Sequence, residues 1–219
     1  MSTEASTLRP TTGIIKPRFS IRKNGDGSLV PRHHSGIDPG LVGEKAFKHP
    51  AVAKWWGWLL SEYEPPYSVA LITPCSNVKP YTKSPTSRKI RGLLRRLDLW
   101  DSENNRPRGI VWLYFSDLLI FVPYEQAEEY PACCYEVPPQ LVLANPGLVE
   151  LVTSKLSEAV KHLADYLEQF VVFLPRRHLT LWEAAKKKSA RWPAELRVKY
   201  TLFSTSGVEA ALKTVLEER

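Results

Sequence analysis

A thiol, an amine, a phenol and a hydroxyl fall in one short stretch, at Cys75, Lys79, Tyr81 and Ser84. Cys75 could act as a nucleophile toward an electrophilic carbon. A helix start close by, with Lys79 and Lys83, would lower its pKa. The alternative is a small buried residue at a strand end, since free cysteine is so often buried. No histidine is near in sequence to serve as its base. Lys79, between Val78 and Pro80, is either a second nucleophile or a phosphate clamp. Tyr81 can stack on a base or hydrogen-bond through its hydroxyl. Ser84 and Ser87 can donate to phosphate or cap the helix that follows.

The elements around this stretch are what must position it. The apolar run from Tyr67 to Ile72 precedes it and a basic helical pattern from Arg88 to Arg96 follows. That order reads strand, polar loop, helix. Ligands of α/β proteins sit at the carboxyl ends of strands, and the free N–H groups of a helix start favour anions. The strand Tyr67 to Thr73 has no alternation and is expected to be buried on both faces, as in a parallel sheet. The helix Thr86 to Leu97 turns Ile90, Leu93, Leu94 and Leu97 inward. Gly109 to Phe115 reads as a second buried strand, and Leu118 to Val122 continues as apolar chain into Pro123. Asn145-Pro146 is an N-cap with proline at the first helical position, opening a helix expected to reach about Phe170. Val171 to Leu174 is a third strand, with Pro175-Arg176-Arg177-His178 at its carboxyl end. Leu179 to Ser189 reads as helix, Glu195 to Phe203 as a fourth strand, and Gly207 to Glu217 as a last helix. Upstream, Ala51, Val52, Trp55, Trp56, Leu59 and Leu60 recur at helical spacing between Lys45 and Tyr63. Trp55 and Trp56 are either base-stacking platforms or core, and the periodicity favours core. Trp58, off that stripe, is the candidate for surface work. Strands alternating with helices predict an α/β three-layer sandwich with a mostly parallel central sheet over residues 44–219.

Residues 1–43 are rich in Ser, Thr, Pro, Gly and basic side chains and offer little to bury. They are expected to form an extended or disordered basic arm. Across 219 residues the net charge is +7 and 43% of positions are hydrophobic. The pI is near 9.3. This balance suits a polyanionic partner and leaves ample material for a core. Three cysteines form neither a C-x-x-C motif nor an even disulfide framework. Cys133-Cys134 with Cys75 provide three sulfurs where a structural zinc needs four ligands, so neither metal nor cofactor is expected. The cysteine usage, the polar amino terminus and the lack of an apolar run near ~20 residues predict a cytoplasmic protein with no membrane partner.

The residues with phosphate in reach are Lys79, Lys83, Arg88, Lys89, Arg91 and Arg95 in one loop-helix unit. Arg176, Arg177 and His178 belong to another, and Arg18, Arg22 and Lys23 to the arm. If the two rims coincide they make a positive crescent able to track a nucleic-acid backbone.

Pro74-Cys75, Lys79-Pro80-Tyr81 and Ser84 together resemble the Pro-Cys-x3-Lys-Pro-Tyr-x2-Ser-x2-His signature of archaeosine synthase. That archaeal family is related to tRNA-guanine transglycosylases. The resemblance extends from His49 to Leu174. It includes Val122-Pro123-Tyr124-Glu125, Tyr130-Pro131-Ala132 and Tyr135-Glu136-Val137-Pro138. It implies a uracil-DNA-glycosylase-like domain acting on 7-cyano-7-deazaguanine in tRNA, where an amine donor, lysine, is attached to the nitrile. Cys75, Lys79, Tyr81, Ser84, Glu125 and Glu136 fall at or near the family's motif positions and become the catalytic candidates. Ser87 and Cys134 stand where the family has histidines, and Asp117 and Leu119 where it has a proline and a glycine. Histidine is the natural proton carrier near neutral pH. The expectation is therefore an archaeal RNA-associated protein that binds structured RNA, tRNA or rRNA, without the parent activity. Two alternatives stand beside it. One is an active tRNA-modifying transferase working with a separate transglycosylase subunit. The other is a subunit of a larger ribonucleoprotein assembly.

Overall fold

The computed structural model describes residues 19–23, 29–31, 36–201 and 204–217. Phe19–Lys23 (β1) pairs antiparallel with Leu29–Pro31 (β2), so part of the expected arm is paired strand. Arg18 lies outside the described residues. Arg22 and Lys23 fall within β1. The compact body begins before residue 44: Ile37 and Leu41 are buried, and Asp38 N donates to Cys134 O at 2.9 Å.

Helix α1 is Pro50–Ser61, preceded by a separate short turn of helix at Glu44–Lys48. Proline cannot continue a helix from behind, and here Pro50 starts one. Strand β3, Val69–Pro74, is buried at all six positions, as its unbroken apolar run requires. Helix α2, Pro85–Arg96, is capped by Ser84, whose Oγ accepts from Ser87 N at 3.1 Å. The small ribbon of β4 (Trp100–Asp101) and β5 (Arg106–Pro107) leads into β6, Val111–Ser116. After a tight turn β7, Ile120–Pro123, returns antiparallel to β6. The sequence showed apolar chain here but not the reversal. Helices α3 (Pro139–Ala144) and α4 (Pro146–Leu163) follow, and Asn145 caps α4 through bonds from Gly147 N and Leu148 N. α4 stops well before Phe170. That ring lies in strand β8, Gln169–Val172, and Gln169 N bonds Ser68 O. Helix α5 is Arg176–Lys188, β9 is Ala194–Arg197 and α6 is Ser206–Glu217.

The five-stranded sheet runs in the order β7-β6-β3-β8-β9, and every neighbouring pair except β6–β7 is parallel. α1, α4 and α5 pack together on one face. α2 and α6 are joined across an ion pair, Arg96 to Glu209 at 3.5 Å, and α6 packs on β8. The chain leaves β3 first toward β6, and later returns on β3's other side as β8. The order therefore reverses beside β3. In open α/β sheets this switch point, at the carboxyl ends of the strands, is where a crevice forms. Among the described residues no helix is long and apolar enough to cross a membrane.

Candidate active site

Three carboxyl ends converge at the switch point, and each contributes one reactive side chain. Cys75 follows β3 and its N–H bonds Phe115 O at 2.8 Å. Asp117 follows β6, and His178 lies in the first turn of α5, just after β8. Cys75 Sγ is 3.8 Å from Asp117 Oδ2 and 3.8 Å from His178 Nε2. His178 Nε2 is 3.4 Å from Asp117 Oδ2. Asp117 is 3% exposed and His178 0%, whereas Cys75 is partly open to solvent. Burial works to lower the pKa of His178. The bonds to Asp117 and Cys75 and the charges of both outweigh it and push the imidazole up to about 9. His178 Nδ1 is buried with no hydrogen-bond partner, so the ring's polar contacts are all made at Nε2.

Asp117 is held by the turn that reverses β6 into β7. Ser116 Oγ accepts from Leu118 N at 3.2 Å and Leu119 N at 2.9 Å. Two indoles brace the turn from α1. Trp56 Nε1 donates to Leu118 O at 3.0 Å, and Trp55 Nε1 reaches Leu119 O at 3.1 Å and Phe121 O at 3.2 Å. Ile120 takes φ 68, a left-handed conformation that a β-branched residue rarely adopts. Such strain persists only when the surroundings over-determine it, and the two tryptophans supply that constraint. The core reading holds for Trp55, Trp56 is half-buried against that core, and both act as braces. Trp58 is half-buried between Trp55 and Tyr63 rings at 5.1 and 5.0 Å.

His178 is positioned by its helix. Its N–H bonds Pro175 O at 3.0 Å, and its ring meets Phe115 edge-on at 5.1 Å. One turn further, Trp182 locks α5 onto the sheet among Phe115, Phe121 and Phe170. A buried phenol network adjoins the site. Tyr81 and Tyr135 share a hydroxyl contact, Tyr135 meets Ser116 Oγ at 2.7 Å, and burial drives both phenols well above their usual pKa. The Lys79 ammonium lies 4.8 and 4.3 Å from the Tyr81 and Tyr135 ring centres and donates to Ser76 O at 2.8 Å.

The candidates read from sequence separate accordingly. Cys75 stands at the centre. Lys79 and Tyr81 lie beside it but are buried at 5% and 0% exposure. Tyr81 therefore offers no face for base stacking, and Lys79 leaves the RNA-facing set. His178 leaves that set for the same reason: a fully buried imidazole cannot meet a phosphate. Ser84 is a cap, and its hydroxyl also donates to Ser87 Oγ at 2.8 Å. Glu125 is exposed on the short turn of helix Tyr124–Gln126. Glu136 uses its backbone to hold the 36–43 segment, bonding Leu41 O and Gly43 N. Lys83, Arg88, Lys89, Arg95 and Arg176 are exposed. Arg91 is half-buried and donates to Tyr124 OH at 3.1 Å, and Arg177 is half-buried with its charge felt by Tyr200. Tyr200 also feels Cys75 and bonds Thr86, which brings the start of α2, the start of α5 and the thiol to one edge. That Asp117 and His178 stand beside Cys75 was missed in the sequence. The signal was there: each is a titratable residue just beyond a buried strand.

These features define a doubly wound α/β protein with a Cys-Asp-His cluster at its switch point. No family model matches the sequence, and no curated protein matches it either. Among solved structures the chain is similar to AF0587, a protein of unknown function, with 16% identity and a TM-score of 0.51. The match covers 75% of this chain and 50% of that one, so the chain spans half the length of that neighbour. The likeness is one of fold.

Proposed function

We propose that this chain is an RNA-directed enzyme in which Cys75 is the nucleophile and His178 its proton carrier. The observation that carries the reading is the convergence of Cys75, Asp117 and His178 at the switch point. Loss of activity was expected because two signature histidines are replaced. His178 brings an imidazole to the thiol from another strand end, and that favours the transferase alternative. The four parallel strands with helices on both faces are compatible with the uracil-DNA-glycosylase-like domain that the resemblance implies.

For a nitrile-bearing base the chemistry balances simply. The Cys75 thiolate adds to the nitrile carbon, forming a C–S bond. The nitrogen takes the proton from the His178 imidazolium, and a thioimidate results. The amine of lysine then attacks the same carbon, the C–S bond breaks, and the amine's proton returns to His178. The products are an amidine and the free enzyme. Asp117 carries no proton in this scheme; it stabilises the imidazolium.

Incubation with tRNA carrying 7-cyano-7-deazaguanine and lysine, followed by digestion and mass spectrometry, tests the reading. A gain of one lysine on the deazaguanine nucleoside, abolished in Cys75→Ala, is expected. No gain, or a gain that survives Cys75→Ala, overturns it.

RNA as the carrier of the substrate rests on the exposed cations beside the site. The variant with Arg88, Arg176, Arg177 and Lys89 all changed to Ala is expected to bind tRNA at least ~100-fold more weakly, at about 1 kcal/mol per lost charged contact. The salt dependence should flatten in parallel, because each neutralised phosphate releases about 0.7–0.9 of a counterion. A filter-binding titration across salt concentrations reads both. Unchanged affinity removes this edge as the RNA contact.

A further inference from the structure

We propose that Cys75, Asp117 and His178 form a zinc site of the open kind, with three protein ligands and one position left for water or substrate. The separations carry the argument. A tetrahedral zinc with bonds of about 2.0–2.3 Å to O, N and S sets its ligand atoms roughly 3.3–3.6 Å apart. Sγ, Nε2 and Oδ2 here lie 3.8, 3.8 and 3.4 Å from one another. These contacts are long for strong hydrogen bonds between charged partners, but within a few tenths of an ångström of three edges of such a tetrahedron. All three atoms lie close together, and Nε2 is the ring nitrogen that makes the polar contacts.

The donor set selects the ion. Thiolate, imidazole and carboxylate together suit zinc and not magnesium or calcium, which take oxygen ligands. The site's shape selects its type. Asp117 and His178 are buried while Cys75 is partly exposed, so the fourth position opens on the Cys75 side. That is the arrangement of a zinc that exchanges a ligand, not of one sealed by four protein groups. Counting sulfurs in the sequence missed it, because only one of its ligands is a cysteine. Nδ1 of His178 lacks the acceptor that usually orients a ligating imidazole. A missing partner of this kind typically costs 10–100-fold in affinity, which places the site among exchangeable zincs.

This inference goes beyond the transfer chemistry and stands without it. A bound ion engages the sulfur lone pair that attack on carbon needs, so the zinc form and the thioimidate exclude one another.

The test uses the full chain, stripped with chelator and titrated with zinc against a chromophoric chelator. One zinc per chain is expected. Asp117→Asn and His178→Gln should each weaken it at least ~10-fold, with far-ultraviolet circular dichroism confirming that both variants are folded. Cobalt loading should give a thiolate-to-cobalt charge-transfer band that disappears in Cys75→Ser. The vicinal pair is the internal control, and Cys133→Ser with Cys134→Ser should keep one zinc. No stoichiometric zinc overturns the proposal. So does zinc that is lost with the vicinal pair, or zinc that ignores both Asp117→Asn and His178→Gln. Zinc binding by a chain that shows no nitrile transfer even after the zinc is stripped would sink the transferase reading alone; transfer in chelator by a chain that binds no zinc would sink this one alone.

Discussion

His178→Gln should lower the rate of lysine transfer to the nitrile base by 10²–10⁴-fold, with little change in KM. Glutamine keeps a polar side chain of similar reach but cannot carry the proton that the nitrile nitrogen must receive. General acid–base help from a positioned histidine is typically worth that much. A loss confined to kcat marks an interaction made in the transition state. The imidazole is held by Asp117 and by the Phe115 ring, and its bonds to Asp117 and Cys75 push its pKa up despite burial. Single-turnover kinetics on nitrile-bearing tRNA make the measurement, with thermal unfolding run alongside. If the variant is folded and turns over within a few-fold of the parent chain, His178 is not the proton carrier.

The second large effect is on stability. Trp182→Ala should cost about 3–5 kcal/mol, as truncation of a fully buried tryptophan does. Trp182 is 0% exposed and makes ring contacts with Phe115, Phe121, Phe170 and Trp192 at 5.1–6.2 Å. Its Nε1 also donates to Glu195 Oε2 at 3.1 Å, which ties α5 to β9. Domains of this size are stable by only about 5–15 kcal/mol, so the loss is a large share of the total. Trp182→Phe keeps a ring in the gap and gives up the indole N–H. It should cost about 1–2 kcal/mol, the scale of one hydrogen bond plus some packing. Urea unfolding followed by circular dichroism reads both. A shift under ~1 kcal/mol for Trp182→Ala would show that α5 is anchored elsewhere. Trp182 follows His178 by one turn of the same helix, so the placement of the His178 imidazole depends on this anchor.

Much of this was legible in the sequence. Patterns of local origin survived the comparison well. The unbroken apolar run at β3, the spacing of Ile90, Leu93 and Leu94, and Asn145-Pro146 each dictate a conformation or a buried face through near neighbours. Strands alternating with helices implied a mostly parallel sheet, because parallel strands need crossovers. The same local logic placed Cys75 at a strand's carboxyl end, the right place for a site. Element ends were less legible: α4 stops at Leu163 because Phe170 is needed in the sheet. The reversal into β7 was also hidden, since beside the local Ser116 bonds its turn relies on indoles more than 60 residues away.

The amino-acid sequence by itself determined the layered α/β architecture, the Cys75 loop and the charge that favours a polyanion, since each rests on composition or on contacts a few residues apart. Only the tertiary structure decided what surrounds Cys75. Asp117 is 42 residues from it and His178 is 103. The order of strands in the sheet brings them together, and strand order is set by packing over the whole core, with no trace in the spacing of any single segment. The same packing buries Lys79 and His178 and leaves Arg88 and Arg176 exposed. Cations that look alike in sequence are thereby divided between the site and its rim.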